Sequence, residues 1–205
     1  YHDHKEQPAM QPARLDLPVI PGATLQQPLL LMQPVYQYRP ITGLAGTAPV
    51  RLQVPAHGLP GDWLVWCEGV PNWADLNQDK QRSPGRPARV VDADTLEFND
   101  LAGQGRTAAS GLLVYRLPVD LTGCEIRAEI RGEGAASILL TQQNGGVQLQ
   151  GLGRVLLVLT AEQTAGITWA RGEWDLTITH PDGTVNRWVA GQVLVNSGGG
   201  CAHGC

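Results

Sequence analysis

The pattern that most constrains the fold is a two-residue alternation of apolar and polar side chains near the end of the chain. Residues 174–179 read Trp-Asp-Leu-Thr-Ile-Thr. This period places the apolar side chains on one face of a β-strand and the polar ones on the other. Residues 180–183, His-Pro-Asp-Gly, are typical of a type I turn that ends in a glycine bulge. The sequence therefore predicts an antiparallel hairpin that returns through residues 185–195.

Two further segments carry strand patterns that differ in their expected burial. Residues 125–131 alternate strictly between isoleucine or alanine and charged side chains, which indicates a half-buried antiparallel strand. Residues 155–159, Val-Leu-Leu-Val-Leu, form an uninterrupted apolar run, which indicates a strand buried on both faces. The next four residues, Thr-Ala-Glu-Gln at 160–163, match a capping box and predict one short helical turn.

Prolines restrict the position of any strand near the start of the chain. Between residues 15 and 35, apolar residues are mixed with Pro18, Pro21, Pro28 and Pro34. Because proline cannot donate a hydrogen bond to a strand ladder, a strand in this segment is predicted to lie at a sheet edge or to be broken.

Composition supports a turn-rich β protein and argues against several functions. The 205 residues include 25 glycines and 15 prolines, a balance that favours β structure over helix. The net charge of −4 argues against nucleic-acid packaging. No apolar run reaches the roughly 18 residues that span a membrane, so we expect no membrane insertion. The polar residues 1–14 show no pattern of a secretory signal.

The middle of the chain carries an ordered set of motifs. They are Ile-Thr-Gly at 41–43, Ala-His-Gly-Leu-Pro-Gly-Asp at 56–62, Trp-Leu-Val-Trp-Cys-Glu-Gly-Val at 63–70, Asp-Leu-Asn at 75–77 and a strand pair at 88–98. Together they resemble a module of tailed-bacteriophage structural proteins, which is also similar to the small β-barrel in the first catalytic-cysteine half of ubiquitin-activating enzymes. The resemblance implies a small β-barrel and no ubiquitin chemistry.

The flanking sequence carries a second resemblance. The positions concerned are Asp120–Gly123, Arg127–Arg131, Trp174–Leu176, Asp182–Gly183, Arg187 and Gly191–Val195. They resemble the two ends of a sandwich domain common in phage tail, baseplate and fibre-adaptor proteins. Trp174 stands where that family usually has tyrosine, and the closing Thr-Arg of the family is missing after Asn196. The motifs of both resemblances are non-catalytic.

These observations predict an all-β protein: an immunoglobulin-like antiparallel β-sandwich with an inserted small β-barrel and extended termini. The predicted organisation is an extended arm at residues 1–14, a discontinuous sandwich at 15–40 with 117–196, an inserted barrel at 41–116, and a Gly/Cys tail at 197–205.

The tail contains the strongest candidate metal ligands. Cys201, His203 and Cys205 place two thiols and an imidazole within five residues, a set suited to zinc or to part of an iron–sulfur cluster. They supply half a site, because Cys67 and Cys124 lie in predicted strands of different modules, so a metal would be shared with another chain. A disulfide, or a tail without a ligand that is solvated or held in an interface, are the alternatives. We expect no other cofactor.

Other candidate side chains have simpler explanations. His57 is expected to be a turn residue, since no serine accompanies it as a nucleophile would. The acidic segment 92–100 lacks the glycine and glutamate spacing of a calcium-binding EF-hand, so its carboxylates are expected to flank turns. Trp63, Trp66 and Trp73 are expected in a core, with a sugar-stacking platform as the alternative.

The sequence contains none of the signatures of a serine hydrolase, a zinc protease or a nucleotide-binding loop, so we expect no enzyme activity. The first interpretation is a tail-tip, baseplate or fibre-adaptor subunit of a phage virion, assembled in the host cytoplasm as a homo-oligomer or symmetric ring with other phage proteins. The second is a capsid decoration or head–tail joining protein. The third is a component that binds a host-surface glycan.

Overall fold

The computed structural model describes residues 11–196, which form an all-β structure with one short helix, as predicted. The strands in chain order are β1 (Ala13–Arg14), β2 (Leu17–Val19), β3 (Leu25–Leu30), β4 (Met32–Pro40), β5 (Gly43–Thr47), β6 (Val50–Gln53), β7 (Trp63–Glu68), β8 (Arg86–Asp92), β9 (Thr95–Phe98), β10 (Leu112–Pro118), β11 (Glu125–Gly132), β12 (Ile138–Thr141), β13 (Val147–Leu149), β14 (Arg154–Leu159), β15 (Arg171–Thr179) and β16 (Val185–Val195). The helix α1 (Ala161–Ala165) lies between β14 and β15.

The described chain divides into two compact units. One contains residues 11–31 and 120–196, and the other contains residues 32–119. Strand β4, which the sequence interpretation places with the sandwich, pairs with β10 and belongs to the second unit.

The first unit is built from two facing sheets. In the larger sheet the order is β1-β16-β15-β11-β12, with β2 also paired to β16, and in the smaller sheet it is β13-β14-β3. Strand β11 contacts β13 and β12 contacts β14, so the sheets stack as a sandwich. The space between them is filled by fully buried side chains, including Ile126, Leu157, Trp174 and Ile178.

The predicted hairpin of the first unit is confirmed. β15 and β16 pair antiparallel, and the turn is closed by a hydrogen bond of 2.9 Å from Gly183 N to His180 O. Gly183 has a φ of 84°, the left-handed conformation that glycine adopts without strain. The alternation in β11 is confirmed as well, because its isoleucines and alanine are buried against the core.

The N-terminal segment extends the larger sheet by parallel pairing. β1 pairs with β16 at Val189, and β2 pairs with β16 farther along. Between them, Leu15 O accepts a 2.7 Å hydrogen bond from Trp174 Nε1. A Cβ atom at Gly191 would lie 1.8 Å from Leu15 O, so this crossing requires glycine. The extended arm predicted at residues 1–14 overlaps the fold at its end, because residues 13 and 14 form β1. Residues 1–10 of the predicted arm lie outside the described part.

The prolines act as the sequence predicts. β2, β3 and β4 contain Pro18, Pro28 and Pro34, and each of these strands lies at the edge of its sheet. An edge strand has one side without a partner strand, where a missing N–H breaks no ladder bond.

The second unit is a seven-stranded sheet in the order β4-β10-β7-β8-β9-β6-β5. The small β-barrel predicted at 41–116 is not closed by a strand ladder in the described chain, because β5 pairs with neither β10 nor β4. The chain instead changes partner between β4 and β5. Ile41 N donates to Gly111 O and Thr42 N donates to Gln53 O, each over 2.9 Å. The two edges of the sheet are thus connected through the backbone and not through hydrogen bonds.

Strand β14 and the helix after it test two further predictions. The capping box is confirmed, since Thr160 and Gln163 bond reciprocally at the start of α1. Val155, Leu157 and Leu159 are buried in the sandwich, but Leu156 and Val158 on the opposite face are half-buried. The prediction that both faces of this strand are buried is therefore wrong for the outer face within this chain.

Candidate functional site

The predicted metal ligands Cys201, His203 and Cys205 lie outside the described residues. Between residues 11 and 196 there is no group of three or more histidine, cysteine or acidic side chains placed to hold a metal ion. The two cysteines in this range are free and buried, Cys67 in the second unit and Cys124 in the first. Burial raises the pKa of Cys67 to about 12, so its thiol stays protonated near neutral pH.

Cys124 forms a pair that sequence reasoning missed. Its Sγ lies 3.5 Å from His180 Nδ1 and 3.7 Å from Asp120 O. Burial, followed by the carboxylates of Asp120 and Asp182, raises the pKa of Cys124. A thiol held in its protonated form is a hydrogen-bond donor and a poor nucleophile. The pair therefore joins two turns and lacks the charge state of a catalytic cysteine.

The two turns meet because the strands that carry them are neighbours. Glu125 at the start of β11 is in register with Thr179 at the end of β15. The turn before β11 and the turn after β15 consequently lie at the same end of the sheet. In the sequence the cysteine and the histidine are 56 residues apart. Their contact could have been predicted only by first predicting that β11 pairs with β15.

The aspartates of these turns bond to the main chain. Asp120 Oδ1 accepts from Thr122 N over 2.9 Å, and Asp182 Oδ1 accepts from Thr184 N over 2.8 Å. These backbone hydrogen bonds lower the pKa of both carboxyls. Each aspartate thus stabilises its own turn.

His57 is buried and both of its ring nitrogens contact the main chain. Nδ1 accepts from Leu59 N over 3.1 Å, so Nε2 carries the proton and donates to Asp92 O over 2.8 Å. Tyr115 OH donates to His57 O. Asp62, the nearest acid in sequence, accepts from Val90 N instead. The histidine stabilises a turn, and the hydrogen bonds of its ring within residues 11–196 are to main-chain atoms and not to a nucleophile.

Asn77 has a similar role in the second unit. Its Oδ1 accepts from Val70 N over 2.8 Å, and its Nδ2 donates to Val70 O over 2.7 Å and to Trp73 O over 2.9 Å. One amide side chain therefore satisfies three main-chain groups of the loop after β7.

The carboxylates of segment 92–100 do not converge on a cation site. Asp92 and Asp94 accept from main-chain N–H groups, and Asp100 forms an ion pair with Arg86. Glu97, whose side chain is 4% exposed, pairs with Arg51 over 2.8 Å and with Arg89 over 3.2 Å. The hydrogen bond from Arg51 is the main cause of the lowered pKa of Glu97.

The clustered tryptophans belong to the core of the second unit, as expected. Trp63, Trp66 and Trp73 are all buried, so they offer no stacking platform. The exposed aromatic side chain nearby is Tyr38, at 46%. The Lys80 ammonium lies 5.5 Å from the centre of its ring.

The outer face of the larger sheet in the first unit carries a chain of ion pairs. Asp175 binds Arg131 over 2.6 Å and Arg187 over 2.8 Å, and Arg131 also contacts Glu129 over 3.4 Å. The hydrogen bond to Asp175 raises the pKa of Arg131. These pairs form a charged, solvated surface, which we call the charged face.

Comparisons with protein families, with curated proteins and with solved structures gave no match. Among residues 11–196, no helix is long and apolar enough to cross a membrane.

Proposed function

We propose that this chain is a non-enzymatic structural component of a tailed-phage virion, a tail-tip, baseplate or fibre-adaptor subunit. In this role it joins neighbouring proteins through its two β units and its termini. The proposal rests on the resemblance of the motifs and on how their polar side chains are used in the structure.

One observation carries the non-enzymatic part. His57, Asn77, Asp120 and Asp182 are polar side chains of turns and loops, and each bonds to main-chain atoms. Side chains committed in this way hold loops in place, which is what an assembly protein requires.

The chemistry of the remaining candidates supports the same conclusion. The thiol of Cys124 has a raised pKa, whereas a catalytic cysteine is activated by a lowered one. The buried Glu97 is neutralised by two arginines and has a lowered pKa, which is unsuited to a general acid near pH 7.

A capsid decoration or head–tail joining role needs the same architecture and is separated from the tail role by copy number. The host-glycan role has less support, because the tryptophans that would stack on a sugar are buried. For that role Tyr38, whose side chain is exposed, is an aromatic ring on which a sugar could stack.

Quantitative mass spectrometry of purified particles from the source phage tests the proposal. A symmetric tail assembly predicts on the order of three to twelve copies per particle, whereas a shell protein is present on the order of hundreds of times. Particles that lack the chain would contradict the proposal.

An activity assay tests the non-enzymatic part separately. The isolated chain is expected to degrade neither peptidoglycan nor host polysaccharide. Degradation by wild-type protein that is lost in a His180→Ala or Glu97→Gln variant would show that one of these side chains is catalytic after all.

A further inference from the structure

The outer side of the smaller sheet of the first unit is an unusual surface for a solvated strand. β14 is its central strand and is apolar throughout from Val155 to Leu159. Val155, Leu157 and Leu159 fill the sandwich, which leaves Leu156 and Val158 on the outer side, half-buried. An ordinary solvated strand alternates apolar with polar residues, and this one does not.

Strand register identifies the residues that share this side. Leu156 lies opposite Pro28 on β3 and Gln148 on β13, and Val158 lies opposite Gln26. Residues directly opposite each other in a sheet point to the same face. We call the uncharged part of this surface the neutral face, and its members are Gln26, Pro28, Leu30, Gln148, Leu156 and Val158. Arg154, which lies opposite Leu30, borders it at one end.

The neutral face lacks charge over a wide stretch of sequence. Its two outer strands come from residues 17–38 and 134–153, and neither segment contains a charged residue, although 17% of the chain is charged. Arg154, in register with Leu30 at one end, already has an interaction within the structure. Depletion of charge together with partly exposed apolar groups is the composition of an interface core.

The edge strands of the smaller sheet are poorly suited to pair with a further strand, so a partner is expected to pack against the face of the sheet. Pro28 removes an N–H from β3, and β13 has three residues. Short edge strands and edge prolines both oppose pairing with a further strand. At the edge of the larger sheet, the side chain of Asn144 bonds to Leu139 O and Thr141 N on β12.

We propose that the neutral face packs against the same face of a second copy of this chain. A charged partner would bury its charges here without counter-charges, which is costly. The neutral face of a second copy brings no charge apart from Arg154 at its border, and the amides of Gln26 and Gln148 are donors and acceptors that can bond to their own kind. A chain with a net charge of −4 repels its copies, and this face is where they approach without opposing like charges.

Sedimentation velocity on the isolated full-length chain tests the proposal. Wild-type protein is expected to self-associate reversibly, and the double variant Gln26→Glu/Gln148→Glu, which faces like charges across the contact, is expected to weaken the dissociation constant by about tenfold or more. At about 1 M NaCl part of this loss should be recovered, because salt screens the introduced charges.

Val185→Glu is the matched control. It introduces one glutamate, half of the charge that the double variant adds, at an apolar position that is 62% exposed and lies in the hairpin, outside the neutral face. Association of this variant should equal that of wild-type. Both glutamines are exposed, so the double variant should fold, and a thermal melt checks this. If its melt is altered, Val158→Thr replaces it and should also weaken association.

A wild-type chain that is monomeric at all concentrations tested would overturn the proposal. So would a double variant that folds and associates as wild-type does, or a control that dissociates equally. The experiment uses the isolated chain, so its failure leaves the virion proposal to be judged by copy number in particles.

Discussion

The two outer faces of the sandwich follow different rules. On the charged face, Asp175 holds Arg131 and Arg187, and the strands alternate as solvated strands do. On the neutral face, Leu156 and Val158 stand where alternation would place polar groups. Both faces belong to one unit with one core. The difference teaches that one core can carry either kind of outer face, and the apolar outer residues of β14 are the ones that the proposed contact with a second copy would cover.

The largest predicted effect is a difference in stability between substitutions on the two sides of β14. Leu157→Ala removes a fully buried side chain and is expected to lower the free energy of unfolding by about 2–5 kcal/mol. Leu156→Ala, one residue away and half-buried, should cost less than half as much in dilute protein. Urea denaturation measures both. Equal losses would show that the outer side is as tightly packed as the inner one.

The N-terminal strands β1 and β2 extend the sheet that carries the charged face, and Gly191 permits the chain to cross between them. Gly191→Ala places a methyl group against Leu15 O and should weaken the bond from Trp174, at a cost of about 1–3 kcal/mol. Gly166→Ala is the control, because its Cβ would meet neighbours at ordinary contact distance. Urea denaturation of both variants is the measurement, and a tolerated Gly191→Ala would contradict the crossing.

Ion pairs on the charged face should contribute modestly. Asp175→Asn removes the shared partner of two arginines and is expected to cost about 1 kcal/mol or less, since both arginines are partly exposed. The loss should shrink in about 1 M NaCl. Glu125→Gln, at an exposed position on the same face, should change little. A salt-independent loss for Asp175→Asn would indicate a packing effect instead.

The smallest predicted effect is on how the free energy of unfolding changes as the pH falls. The folded-state pKa of Asp182 is lowered by its bond from Thr184 N, so its contribution is present above the ordinary carboxyl range and is lost as pH falls below about 4. Asp182→Asn keeps an acceptor that does not titrate. Its unfolding free energy should fall less steeply with acid than that of wild-type, and identical slopes would argue against the turn bond.

The parts of the fold that sequence predicted are those set by local patterns. The hairpin turn, the alternation of β11, the capping box at Thr160 and the edge positions of the proline-containing strands each follow from residues close together in the chain. Periods of two and turn chemistry act over a few residues, so they can be recognised in one sequence.

The parts that sequence missed depend on which strands become neighbours. The open order of the strands in the second unit could not be read from the sequence, because the change of partner at Ile41 is a tertiary event. The contact of Cys124 with His180 requires the register of β11 with β15. An apolar strand such as β14 looks the same in sequence whether its second face is covered by its own chain or left open.

Methyl NMR on selectively labelled leucine and valine tests the contrast between the two faces most directly. Over a dilution series, the methyl resonances of Leu30, Leu156 and Val158 are expected to shift with protein concentration, while those of Leu157 and Val185 stay fixed. Shifts confined to methyl groups elsewhere, or no shift at any concentration, would contradict the assignment of the neutral face as the surface that meets a second copy.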